Sequence, residues 1–141
     1  MDIIAMRHAH AVATDPEGDH ARPLSERGRV GAAQAFQSLR AQRLEPELAL
    51  VSPSARTRET AAIGMETFPA MQIVIVDELY NGPAERIAEA VDRVERVKTL
   101  LIVAHNPGIS AYVGGAHILR PADAVVMADS ERPIVLRAAE D

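Results

Sequence analysis

A mostly parallel α/β sheet, with helices packed on both faces, is the fold class this sequence predicts. Three observations carry that expectation. Strand-like and helix-like segments alternate along the chain, and the strand-like segments are short continuous apolar runs, the pattern of strands buried on both faces. The third is bulk: 141 residues with 48% apolar content suffice to bury a sizeable core without a disulfide or metal staple. One domain spanning 1–141 is expected, with no internal repeat and no linker.

The elements follow in order. Asp2 to Met6 reads as a short buried strand, followed by a polar loop from Ala9 to Leu24. Ser25 is a helix cap, and the helix after it runs to about Arg43, with Ala32, Phe36, Leu39 and Arg43 on one face. Glu45-Pro46 ends it. Leu48 to Val51 is a second strand, closed by Ser52-Pro53, and Ala55 to about Met65 is a second helix with Gly64 at its fraying end. The β-branched run Gln72 to Val76 is a third strand, leading into the turn-like segment Asp77 to Pro83. From Ala84 to Val97 the spacing of Ile87, Val91, Val94 and Val97 predicts a helix with a defined inner face. Leu100 to Ala104 is the most apolar strand, and Asn106-Pro107-Gly108 separates it from a short helix near Ile109 to Val113. Ala124 to Ala128 and Ile134 to Arg137 are the last strands, with Asp129 to Pro133 as a hairpin turn.

Composition excludes several chemistries. The chain has no cysteine, so disulfides, thiol nucleophiles and Cys-ligated zinc are out of reach. A formal net charge of −5 gives no general attraction to nucleic acid or anionic membrane, although a local basic pocket is compatible with it. The N-terminus lacks the basic and apolar regions of a secretory signal, and no stretch has membrane-spanning length. A soluble cytoplasmic protein is the expectation.

In parallel α/β sheets ligands bind beyond the C-terminal strand ends. The residues standing there are Arg7-His8, Ser52-Pro53 leading to Arg56, Asp77-Glu78, and His105-Asn106, so reactive side chains follow all four of the first strands. Around one crevice, Arg7, His8, Arg56 and His105 form a set of two guanidiniums and two imidazoles. Paired guanidiniums suit phosphate, because their fixed donor forks match its oxygens, and a position near a helix start favours an anion at Arg56. A histidine inside such a clamp is a plausible nucleophile that would become phosphohistidine and then be hydrolysed. The second imidazole, if protonated, would stabilise charge on the transferring group. Asp77 and Glu78 are the candidate general acids for a poor leaving group; on an extended segment they would point oppositely.

Competing readings use the same residues. His8 and His10 share a face of an extended segment and would start a metal site, completed from His20, His105, His117 or carboxylates. Arg7 and Arg56 oppose that reading, since they bring positive charge to a cation. A phosphate- or phosphoprotein-binding domain without turnover would need both arginines but not a nucleophilic His8. His10, His20 and His117 read as loop or surface histidines, His20 at the pocket mouth at most, and Arg27, Arg29 and Arg58 as helix-surface charges.

Four blocks, MRHAHA, RPLSERG, VSPSARTRETA and VAHNPGIS, occur in that order and cover nearly the whole chain. In them the sequence resembles the histidine phosphatase superfamily, which includes cofactor-dependent phosphoglycerate mutases and acid phosphatases, and most closely its small SixA-like phosphohistidine phosphatases. The resemblance implies a phosphoglycerate mutase-like three-layer αβα sandwich and a reaction without metal or other cofactor. It implies His8 as the phosphoryl-accepting nucleophile, with Arg7, Arg56 and His105 completing the phosphate pocket. Arg22 would stand near the site, with Ser25 capping, and Asn106 beside His105 would contact substrate. Ala9 departs from the usual glycine after the Arg-His pair. Glu78 is assigned only a weak part as acid, because the family pattern around it is missing. The Asn81-Gly82-Pro83 turn leads straight into a helix, leaving no room for a lid insertion. An open site of that kind suits a phosphate displayed on a protein, and also a small phosphomonoester; a mutase would need an enclosed pocket. A monomer is the expected state.

Overall fold

Four apolar runs become four parallel strands. In the computed structural model, which describes residues 1–116, 118–128 and 133–138, β1 (Asp2–Arg7), β2 (Leu48–Val51), β3 (Gln72–Ile75) and β4 (Thr99–Ala104) run in one direction. Two further strands, β5 (Ala124–Met127) and β6 (Ile134–Leu136), add antiparallel at the far side. The order across the six-stranded sheet is β3-β2-β4-β1-β5-β6. All of β4 is buried, as its apolar sequence requires. The register between β1 and β4 runs from Asp2 opposite Thr99 to Arg7 opposite Ala104, so the two strands end level.

Alternation along the strands divides the core into two layers. Ile4, Met6, Leu101 and Val103 face one side, where Phe36 and Leu39 of α1 (Glu26–Ala41) and Ala61 of α2 (Ala55–Thr67) pack on them. Ala5, Leu100, Ile102 and Ala104 face the other, against Ile87 and Ala90 of α3 (Ala84–Asp92) and Ile109 of α4 (Gly108–Tyr112). The result is the expected three-layer αβα sandwich with a mostly parallel sheet. The eight residues 76–83, which include one 3-10 turn, separate β3 from α3, so no lid domain is inserted there.

Several expectations need correction. Helix α1 ends at Ala41, and Arg43 is left-handed at φ 63°, exposed beyond the helix rather than on its inner face. The chain closes there by donating from Leu44 N to Leu39 O, the usual way a helix satisfies its last carbonyls. Gly64 lies inside α2, not at its end, and is buried: a Cβ there would come within 2.6 Å of the Phe36 ring. The glycine is a contact surface between α1 and α2. Helix α3 stops at Asp92, five residues before the expected Val97. The chain must turn to enter β4, and Lys98 is tied on both sides, its N–H donating to Glu47 Oε1 and its carbonyl accepting from Asp2 N. Val94 and Val97 still pack against the core, from irregular chain rather than from a helix face. Asp77–Leu79 form a single 3-10 turn, so the extended geometry assumed for Asp77 and Glu78 does not hold. Residues 129–132 of the expected hairpin turn, and His117, lie outside the described residues.

Candidate active site

The crevice follows from topology. From β1 the chain crosses to α1 on one face, and from the adjacent β4 to α4 on the other, so their level C-terminal ends form a switch point where a ligand can enter. Arg7 is the last residue of β1, His8 follows it, and His105 follows β4. His8 N donates to Ala104 O at 3.1 Å, which extends the pairing one residue beyond β1. The two imidazoles stand with ring centroids 5.3 Å apart and planes inclined at 58°.

Hydrogen bonds fix the tautomer of each ring. His8 Nδ1 lies 2.7 Å from Ala9 O; a carbonyl only accepts, so Nδ1 carries the proton and Nε2 keeps its lone pair. Burial is the main reason its pKa falls from 6.5 to about 3, with the Ala9 bond opposing and His105, Arg7 and Arg56 adding repulsion. His8 is therefore neutral around neutral pH, with the Nε2 lone pair available. His105 has the opposite tautomer. Its Nδ1 accepts from Arg56 Nη2 at 3.3 Å and its Nε2–H donates to Ser52 Oγ at 2.7 Å. Burial, then Arg56, brings its pKa down to about 4, so it too is neutral around neutral pH.

The arginines are placed by short-range geometry. Arg56 is the second residue of α2, whose N-terminus is capped by Ser54 accepting from Thr57 N. Thr60 Oγ1 accepts from Ala9 N at 3.1 Å and donates to Arg56 O at 2.7 Å, tying the loop after β1 to α2. Ala9 itself is fully buried in a small cluster with Leu24, Ala32 and Ala122, which is where its methyl group is accommodated. Arg7 Nη1 donates to Leu119 O at 3.2 Å, and burial lowers its pKa against the pull of Asp123. The Nε–H groups of Arg7 and Arg56 are both buried with no hydrogen-bond acceptor among the described residues. Buried donors of this kind are rare and call for a ligand or another explanation.

Arg22 reaches the same region through Asp19: its Nε donates to Asp19 Oδ1 at 3.0 Å and its Nη1 to Val12 O at 2.8 Å. Asn106 stands beside His105 with its amide committed to the fold, donating to Leu119 O at 2.7 Å and accepting from Ser110. Since Leu119 O also takes Arg7, Asn106 braces the loop that holds Arg7. Glu78 Oε2 lies 3.9 Å from Arg93 Nη2, both side chains exposed. His10 bonds Ser25 Oγ through Nδ1 at 2.7 Å, and its Nε2 lies 2.6 Å from Arg27 Nη2, so it belongs to the start of α1. Gly28 permits that packing, since a Cβ there would sit 1.9 Å from His10 O. Among the described residues no three His, Asp or Glu side chains converge as metal ligands.

Asp19 and Tyr80 carry no role in the sequence pattern, and Ser52 is marked there only by its place after β2. Asp19 Oδ2 accepts from Arg56 Nη2 at 3.1 Å and from Tyr80 Oη at 2.6 Å, and Asp19 O accepts from Arg56 Nη1 at 2.8 Å. The Tyr80 hydroxyl first, then Arg56 and Arg22, hold the Asp19 carboxyl far below the usual range. Tyr80 stands edge-on to both His105, at 5.7 Å, and His20, at 4.9 Å, so His20 is exposed at the mouth. Ser52 orients His105. An acidic loop residue defaults to solvent in any reading of sequence alone; the spacing Asp19-x-x-Arg22, which one 3-10 turn makes a pair, was the available signal.

The sequence matches the histidine phosphatase superfamily (branch 1) over residues 3–85. An uncharacterised Mycobacterium tuberculosis protein is 36% identical over 107 residues, covering 75% of this chain and 66% of its own length, so the match spans just under two thirds of that relative. A crystal structure of a candidate phosphohistidine phosphatase SixA from Agrobacterium tumefaciens superposes with a TM-score of 0.87 at 24% identity, covering 99% of this chain and 97% of that one. The protein histidine phosphatase SixA complexed with tungstate superposes with a TM-score of 0.82 at 22% identity, covering 98% and 96%. At these identities the superpositions establish a shared fold.

Proposed function

Because this chain belongs to the histidine phosphatase superfamily, branch 1, we propose that it is a phosphatase working through a phosphohistidine intermediate on His8, and that its substrate is phosphohistidine displayed on a protein. What carries the reading is one juxtaposition: a neutral imidazole with its Nε2 lone pair available, beside two buried arginine Nε–H groups that lack an acceptor. A phosphoryl group supplies oxygens for those donors and an electrophilic phosphorus for that lone pair. The tungstate bound by the SixA relative is a tetrahedral oxyanion, which agrees with such a pocket.

The steps balance without a cofactor. His8 Nε2 attacks phosphorus in line; the bond to the leaving group breaks and its electron pair departs with that group. Arg7 and Arg56 carry the positive charge that a metal ion would otherwise supply to the equatorial oxygens. His105, drawn toward its protonated form by a phosphoryl dianion, would give up the bond it accepts from Arg56 Nη2 and offer Nδ1–H as a further donor. Water then attacks the phosphorus of phosphohistidine, the pair returns to Nε2, and inorganic phosphate is released.

Two features favour phosphohistidine as substrate. An imidazole protonated on its far nitrogen leaves as a neutral base, so no dedicated acid is needed, in keeping with an exposed Glu78 whose charge lies 3.9 Å from Arg93. The passage from β3 to α3 without a lid suits a bulky protein donor. The test compares kcat/KM on a phosphohistidine-bearing protein, a phosphoserine peptide and p-nitrophenyl phosphate. At least a tenfold preference for the first is expected. Equal or better turnover of the small ester would make the protein a phosphomonoesterase; binding of phosphoprotein without turnover of any donor would make it a recognition domain.

A further inference from the structure

Arg56 is held in an unusual way for a residue meant to receive an anion: an internal carboxylate already sits on it. Asp19 takes both terminal nitrogens, Nη1 through its backbone carbonyl at 2.8 Å and Nη2 through Oδ2 at 3.1 Å. In a guanidinium these two nitrogens form the end of the fork, while Nε–H and Nη2 form its side. With the end committed to Asp19, the side edge faces the histidines: its Nη2 hydrogen rests on His105 Nδ1 at 3.3 Å and its Nε–H is what remains. Its Nε–H is buried without an acceptor, in a residue only 3% exposed. Asp19 is in turn fixed by Arg22 on Oδ1 and by Tyr80 on Oδ2, so both its oxygens are occupied and its orientation is set.

We propose that Asp19 is a positioning residue: by clamping the end of the Arg56 fork it aims the Nε edge at the phosphoryl group, instead of competing for that site. The inference rests on the reading of Arg56 as part of the phosphate pocket. It assigns the Asp19-x-x-Arg22 turn a purpose beyond entry into α1, and gives the Tyr80 hydroxyl a part in the same clamp. The alternative, an internal anion that must be expelled before substrate binds, predicts effects of opposite sign.

The experiment is a double-mutant cycle read twice, by affinity for inorganic phosphate and by kcat/KM on the phosphohistidine protein, in wild type, Asp19→Asn, Arg56→Ala and the double variant, with thermal melts confirming folding. Asp19→Asn is expected to weaken phosphate binding and lower kcat/KM by about 10- to 100-fold, even though it removes a negative charge near an anion. In the Arg56→Ala background the same change is expected to cost less than about threefold, because the two residues act as one unit. Tyr80→Phe, a milder variant, is expected to lose about threefold with the same dependence on Arg56. Tighter phosphate binding or higher activity in Asp19→Asn overturns the proposal in favour of a competing anion. An unchanged Asp19→Asn, or equal losses in both backgrounds, overturns it as well. A wild type that binds phosphate without turning over contradicts the phosphatase reading alone, since phosphate affinity still reads the cycle; a wild type that does neither contradicts both.

Discussion

His8 and His105 face each other as neutral rings, each with a different nitrogen protonated, and this pairing decides what either can do. Were both charged, two imidazolium ions 5.3 Å apart beside two guanidiniums would repel, and no lone pair would remain for attack. Burial is the main force holding His8 near 3 and His105 near 4, well under the ordinary value of 6.5. An NMR titration of the ligand-free protein is therefore expected to show both rings unprotonated at pH 6. Midpoints near 6.5 would contradict the buried, pre-formed site. The grouping of His8, Arg7, Arg56 and His105 was legible in the sequence, because each stands at or just past the end of a strand or near a helix start, where topology gathers ligands. The tautomers were not, since they depend on Ala9 O and Ser52 Oγ, contacts that no spacing announces. Asp19 was hidden for the same reason: its partners lie 37 and 61 positions away in Arg56 and Tyr80.

At the level of elements, the strands were easier to read than the helix ends. Continuous apolar runs mark β1, β2 and β4 almost to the residue, since a buried strand leaves little choice of side chain. Helix boundaries depend on where the chain must go next, so α3 ends early although Val94 and Val97 keep its apolar spacing. Gly64 is the instructive case. Local propensity reads a glycine as a helix terminator, whereas contact with the Phe36 ring keeps it inside α2. Gly64→Ala is accordingly expected to destabilise the protein by about 1–3 kcal/mol, the usual cost of overpacking a core, despite alanine's better helix propensity. A chemical denaturation midpoint unchanged or raised by the substitution would show that α1 and α2 are not so closely packed.

For the molecule as a whole, the same buried histidines make stability depend on pH. The unfolded chain protonates His8 and His105 near 6.5, while the fold resists until about 3 and about 4. Between those limits the unfolded state binds more protons, so stability is fully present above about pH 6.5 and falls on acidification. Melting temperature is expected to be lower at pH 5 than at pH 7.5; no change, or a rise, would contradict the burial of both rings in neutral form. His8→Asn and His105→Asn should each flatten part of that dependence.

The central claim is that His8 carries the phosphoryl group. Its most direct test is rapid quench in base after mixing with a radiolabelled phosphohistidine donor. A base-stable, acid-labile label on the chain that forms and decays within turnover and is absent in His8→Ala is the expected result. Turnover by wild type with no label on His8, or an equal label in His8→Ala, would contradict it.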